Sequence, residues 1–301
     1  MTIEITAFTD PVCTWCWGSE PVLRAVQERY GDQVRITPVM GGLVKDIRGF
    51  RDTANGIGGD PNEANRNIAR HYLEASARHG MPVQADGFAL FSDEYPSTYP
   101  QNEAYLAARQ QGAEIAARFL RRVREASAAE ARQTNRPEVL AQLAAGVGLD
   151  VGAFLTALHD GTAKAAFARD LQTTAAYGVR GFPAFLFTSD AGEPLMLPSY
   201  QPYATFREVI RLVSNGTALE KTLPKDADTI AGFIQRWGSA ADIEITTTFD
   251  LTPAEWAALA PQVEAAEGIT TRTAGNGRFF AAQTVAPGTC DPVTGACVSS
   301  P

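Results

Sequence analysis

Cys13 and Cys16 are the residues of this chain best suited to chemistry, three positions apart in Asp10-Pro11-Val12-Cys13-Thr14-Trp15-Cys16-Trp17-Gly18. On a helix, side chains at that spacing share a face, with Cβ atoms about 5–6 Å apart. A slight adjustment of the first turn brings such a pair within disulfide geometry. A helix start also offers unpaired N–H groups and a positive dipole end, which together lower a thiol pKa below its usual ~8.5. Cys13, nearer the helix start and the solvent, is expected to be the attacking thiolate. Cys16, one turn inside, is expected to resolve the mixed disulfide. The other two cysteines, Cys290 and Cys297, bracket Asp291-Pro292-Val293-Thr294-Gly295. These are turn residues suited to a small closed loop, so an auxiliary redox disulfide is expected there. A four-cysteine zinc site is the competing reading. Structural zinc pairs usually have short spacings on both sides, and here the second pair encloses six residues, so no metal is assigned.

The elements that must position Cys13 are legible on either side of it. Thr2-Ile3-Glu4-Ile5-Thr6-Ala7-Phe8 alternates polar and apolar residues, the pattern of a half-buried strand. Glu20 to Tyr30 reads as a helix with Val22, Leu23 and Val26 on its apolar face, stopped at Gly31. Residues 34–40 read as a second strand closed by Gly41-Gly42. A strand–helix–strand unit of this kind predicts a parallel pair joined by a right-handed crossover. From about 43 to 165 the chain turns rich in Ala, Arg and Glu, with helical segments over Asn102–Ser127, Arg136–Ala145 and Asp150–Leu158. After a helix over Ala163–Tyr177 come a buried strand at Pro183–Phe187, a hairpin partner at Pro194–Leu197 and a helix over Tyr203–Val213. A smaller unit follows from about 219. It has helices at Asp226–Trp237 and Pro253–Ala266, and an alternating strand at Ile243–Thr248. A hairpin of Ile269–Thr273 and Arg278–Ala282 is expected to turn at Asn276-Gly277.

Composition narrows the function. Hydrophobic residues make up 45% and charged residues 20%, as in ordinary globular proteins, and the net charge is −8. An acidic surface repels phosphate backbones, so nucleic acid is not an expected partner. The basic run Arg121, Arg122, Arg124 reads as a solvated helix face. No apolar stretch reaches the ~18–20 residues that span a bilayer, and the N-terminus runs straight into a strand. Four cysteines are too few for a stapled secreted fold, so a cytoplasmic protein is expected. His71, His79 and His159 have no metal-ligand spacing and read as surface or packing residues. Asp10 reads as turn chemistry that is also placed to perturb Cys13. Trp15 reads as a wall of the thiol pocket.

The Cys13–Cys16 motif and the later run Gly178-Val179-Arg180-Gly181-Phe182-Pro183-Ala184-Phe185 together resemble the DsbA-like branch of the thioredoxin superfamily. The likeness is greatest to its FrnE-like dithiol–disulfide isomerases and SpxH-like adapters, over roughly residues 1–215. It implies an α/β thioredoxin fold with a helical insertion, spanning 1–218, and leaves 219–301 as a small α+β unit. It implies that Pro183 is cis and packs against the active cysteines, with Phe182, Thr14 and Trp15 positioning substrate. The activity implied is thiol–disulfide exchange on protein or low-molecular-weight thiols, without a cofactor. DsbA-type motifs carry histidine where this chain has Trp15, so Cys13 is expected to be less acidic than in those oxidants. A client-holding adapter of the SpxH type and a kappa-type thiol transferase are the alternatives. Kappa-type enzymes have serine at the reactive position, unlike this chain.

Overall fold

The computed structural model describes residues 2–283. Strand β1 (Ile3–Thr9) hands the chain to a short helix, α1 (Thr14–Gly18), and after the break at Ser19 to α2 (Glu20–Tyr30). A 3-10 turn over Gly31–Gln33 leads into β2 (Val34–Met40), which lies parallel to β1 with Ile3 beside Val34 and Thr9 beside Met40. The insertion then carries α3 (Pro61–His79), α4 (Tyr99–Arg109), α5 (Ala113–Ala128), α6 (Pro137–Gly146) and α7 (Val151–His159). The single helix expected over Asn102–Ser127 is two, because Gly112 takes φ 129° and ψ 152°, which no helix allows.

Helix α8 (Thr162–Ala176) returns the chain to the sheet as β3 (Ala184–Thr188), antiparallel to β1. Strand β4 (Leu195–Pro198) and helix α9 (Tyr203–Val213) complete a four-stranded sheet of order β2-β1-β3-β4. One sheet face carries Ile3, Ile5, Phe185 and Phe187 against Val22 and Val26 of α2 and Phe206 and Ile210 of α9. The other carries Phe8, Val39, Ala184 and Leu186. This is the thioredoxin fold with a helical insertion.

The C-terminal unit consists of α10 (Ala227–Trp237), β5 (Ser239–Ala241), α11 (Asp242–Phe249), α12 (Pro253–Glu264), β6 (Ile269–Ala274) and β7 (Gly277–Ala282). The strand expected at Ile243–Thr248 is instead α11. Glu244 reaches back to accept the Ala241 N–H at 2.7 Å, which closes the first turn. Ile245, Thr248 and Phe249 then fall on one buried face at helical spacing. The β6–β7 hairpin forms, with Gly275 (φ 58°) and Asn276 as its turn. Asn276 is locked onto the insertion by two bonds to Val83, accepting its N–H at 2.8 Å and donating to its carbonyl at 3.0 Å. Trp17 of α1 sits between the two, packed on Phe279 and donating its indole N–H to the Pro82 carbonyl at 2.9 Å. The cysteine-bearing helix therefore lies where the sheet domain, the insertion and the C-terminal unit meet.

Candidate active site

The motif turns out of β1 because Asp10 organises it. Its Oδ1 accepts the Val12 N–H at 3.0 Å, which bends the chain into α1. Its Oδ2 accepts the Leu43 N–H at 2.7 Å, the Asn102 amide at 2.8 Å and the Thr98 hydroxyl at 3.1 Å. Asp10 is fully buried, and burial raises its carboxyl pKa although all four bonds oppose this. It is more than turn chemistry, since one carboxylate ties the motif to the start and the far side of the insertion. Tyr72 of α3 adds a bond from its hydroxyl to the Val12 carbonyl.

Cys13 is the N-cap of α1, and its sulfur accepts the Cys16 N–H at 3.3 Å. The Cys13 thiol points at the Phe182 carbonyl, 3.5 Å away, across 169 residues of sequence. The Phe182–Pro183 bond is cis, as the resemblance implied. The tip of the Phe182 ring lies against Gly41, where a Cβ would fall 1.9 Å from the ring. Pro183 is buried and shares with Cys16, Thr9, Ser19 and Arg124 the lining of a cavity of ≈ 30 Å³, room for a water. Cys13, Cys16, Phe182 and Pro183 are thus brought together. Thr14 is buried with its hydroxyl unpartnered. Trp15 is half-buried, about 6 Å from the rings of His71, His79 and Tyr200, with the Arg78 guanidinium 5.9 Å from its centroid. Cys290 and Cys297 lie outside the described residues. Among the described residues, no three His, Cys, Asp or Glu side chains are grouped to hold a metal.

The expectations for Cys13 are corrected first. Cys13 does not stand out in solvent: it is 6% exposed and Cys16 2%, and both are free thiols. The acidity is also reversed. Burial pushes the Cys13 thiol up, reinforced by its bond to Cys16 and by the charge of Asp10. Cys16 is drawn below its ordinary value against its own burial, by the Cys13 thiol, the Arg124 guanidinium and the Thr9 hydroxyl. Of the hydrogen-bonded pair, the inner sulfur is therefore the more acidic.

The second correction concerns the basic run. Arg121 and Arg124 do not face solvent. Arg124 is buried, binding Glu20 through one nitrogen and the Thr9 hydroxyl through another. Arg121 reaches Glu125 at 2.7 Å and Glu244 at 3.0 Å, and lies over the Trp17 ring. Arg122, more open, pairs with Glu130 at 2.8 Å. The acids that hold this run come from α2, α5 and α11. Glu125 is local to the run, but a reading of the local charge pattern has no access to Glu20 or Glu244. Arg124, Thr9 and Tyr200 are site residues that sequence reasoning missed. The one available signal was the spacing of Arg121, Arg124 and Glu125 at three and four positions on one helix.

Comparison with known proteins agrees with this geometry. A thioredoxin family model matches residues 7–208. The ClpXP adapter protein SpxH of Halalkalibacterium halodurans is 29% identical over 251 residues, covering 83% of this chain and 78% of that protein. SpxH of Bacillus subtilis is 25% identical over 254 residues, covering 83% and 79%. Among solved structures, a putative protein disulfide isomerase from Nitrosomonas europaea superposes with a TM-score of 0.58 at 19% identity, over 70% of this chain and 96% of that one. The cytosolic disulfide reductase DsbM from Pseudomonas aeruginosa gives 0.52 at 24%, over 71% and 93%. The chain belongs to the thioredoxin family.

Proposed function

We propose that the protein is a cytoplasmic thiol–disulfide oxidoreductase acting on protein or low-molecular-weight disulfides through Cys13 and Cys16. The observation that carries this reading is the convergence of the Cys13 sulfur, the Cys16 N–H and the Phe182 carbonyl beside cis-Pro183. Cys13 is the nucleophile. Cys13 gives up its proton, and its thiolate, held by the Cys16 N–H, attacks one sulfur of a substrate disulfide. A Cys13–substrate bond forms and the other substrate sulfur leaves as a thiolate. Cys16 then loses its proton, attacks the Cys13 sulfur and expels the second substrate thiolate. The enzyme ends as the Cys13–Cys16 disulfide, and the substrate has gained two electrons and two protons. Phe182 offers its backbone to an extended substrate, while Thr14 and Trp15 line its path.

Insulin reduction and scrambled-ribonuclease refolding test this directly. Cys13→Ser is expected to abolish turnover, and Cys16→Ser to accumulate mixed disulfides visible by mass spectrometry. Full turnover by Cys13→Ser protein ends the proposal. A second reading, a client-holding adapter, is favoured by the similarity to proteins named ClpXP adapters over 83% of the chain. An adapter needs no turnover, so client capture that survives Cys13→Ser/Cys16→Ser replacement supports that reading instead.

A further inference from the structure

We propose that the C-terminal unit tunes the Cys13–Cys16 couple through a buried series of groups, Glu244–Arg121–Glu20–Arg124–Thr9, that ends at the Cys16 sulfur. The proposal rests on the reading of the two cysteines as a redox couple, and it names residues to which that reading gives no part. Glu244 is fully buried at the start of α11, where it holds Arg121 at 3.0 Å and Arg24 at 3.2 Å. Arg24 also donates to the Ser239 carbonyl of β5 at 2.6 Å, so both arginines are anchored on the C-terminal unit. Arg121 stands 3.8 Å from one oxygen of Glu20, whose other oxygen binds Arg124. Arg124 donates to Thr9 and lines the same cavity as Cys16, with its Nε unpartnered. Each acid in this series stands between two guanidinium groups, and a change at one end alters how the next group is shared.

The sign follows from charge. Glu244 occupies Arg121 and Arg24, which leaves Glu20 to neutralise Arg124. Without the Glu244 anion, both cations draw on Glu20, and the Arg124 charge acts more fully on Cys16. A better-stabilised thiolate favours the reduced form, so the couple becomes more oxidising. Losing Arg124 has the opposite effect. The other titratable neighbours acting on the pair, Asp10 and Tyr72, belong to the sheet domain and the insertion.

The measurement is the equilibrium of the couple with a glutathione redox buffer, read by trapping free thiols in full-length Cys290→Ser/Cys297→Ser protein. Two glutathione thiols reduce the Cys13–Cys16 disulfide and leave as one glutathione disulfide. Glu244→Gln is expected to raise the reduction equilibrium constant about threefold or more, roughly 14 mV. Its amide oxygen can still accept the Ala241 N–H. Arg124→Met is expected to lower the constant about tenfold, roughly 30 mV, and Arg124→Lys to restore most of the loss. In the Arg124→Met background, Glu244→Gln is expected to have no further effect, because its influence passes through that cation. A constant within twofold of the parent for Glu244→Gln, or the same shift with and without Arg124, overturns the proposal. Should Glu244→Gln not fold, Arg272→Gln replaces it. Arg272 of β6 binds Glu125, and its loss leaves Glu125 a stronger claim on Arg121. The constant is then expected to fall, and an unchanged or raised value overturns the proposal. Insulin turnover is scored separately. A couple that shifts as described without reducing insulin ends the reading of protein disulfides as its substrates and leaves this coupling standing.

Discussion

Replacing Asp10 by Asn separates the structural work of that carboxylate from its charge. Three donors converge on Oδ2 and one on Oδ1. An Asn side chain therefore places its oxygen at the crowded position and turns its NH₂ toward the Val12 N–H. One buried donor loses its acceptor, at a cost of about 1–3 kcal/mol. Burial of a charge is relieved at the same time, which holds the loss toward the lower end. For a chain of this size each kcal/mol moves the melting midpoint by about 2–4 °C, so a fall of roughly 2–8 °C is expected. Asp10→Ala strands all four donors and is expected to cost at least about 3 kcal/mol. The thiol should change in the opposite sense. The Asp10 charge contributes to pushing Cys13 up, so Asp10→Asn protein should alkylate faster at neutral pH although it is less stable. Differential scanning fluorimetry and iodoacetamide trapping of Cys16→Ser protein read the two effects. An unchanged midpoint, or a less reactive Cys13, would refute the reasoning.

Gly41→Ala places a Cβ 1.9 Å from the Phe182 ring and is expected to lower kcat/KM for insulin at least tenfold by displacing the carbonyl that faces Cys13. Gly18→Ala brings a Cβ within 2.4 Å of the His79 imidazole, an overpacking worth about 1–3 kcal/mol, and should shift Trp15 fluorescence. Burial lowers the His79 pKa to about 4, followed by the charge of His71. The unfolded chain therefore binds the extra proton between about pH 6.5 and 4, and stability should fall by up to about 3 kcal/mol as pH drops through that window. Urea titrations of His79→Gln protein should lack that component, and an identical slope would count against it.

Local patterns carried the sequence reading a long way. The alternation of residues 2–8, the Cys13–Cys16 spacing and the Phe182-Pro183 strand each have local causes, and each lies where it was expected. Ile243–Thr248 misled because Ile-Glu-Ile-Thr alternates like a strand. Its helix is dictated by Glu244 closing the first turn and by packing on α2, which local preference does not encode. The arginine run misled for a related reason. Charge next to charge on a helix reads as solvated unless the acids that enclose it are known, and Glu20 and Glu244 lie more than a hundred positions away on either side. The Cys16 acidity depends in part on Arg124, likewise more than a hundred positions away, so it was hidden as well.

The locking of Asn276 onto Val83 bears on how the chain is made. A ribosome releases α1 and its two cysteines well before the β6–β7 turn. Until that turn emerges, Trp17 lacks Phe279, and Arg24 and Arg121 lack Glu244. Domains generally begin to fold from the N-terminus during synthesis. Here the nascent sheet domain must wait with Arg24 unpaired in its flank, while Arg121 keeps only Glu125 and Glu20. Its thiols acquire their final surroundings only once that turn has emerged, so a chain terminated before it carries the motif without its finished site.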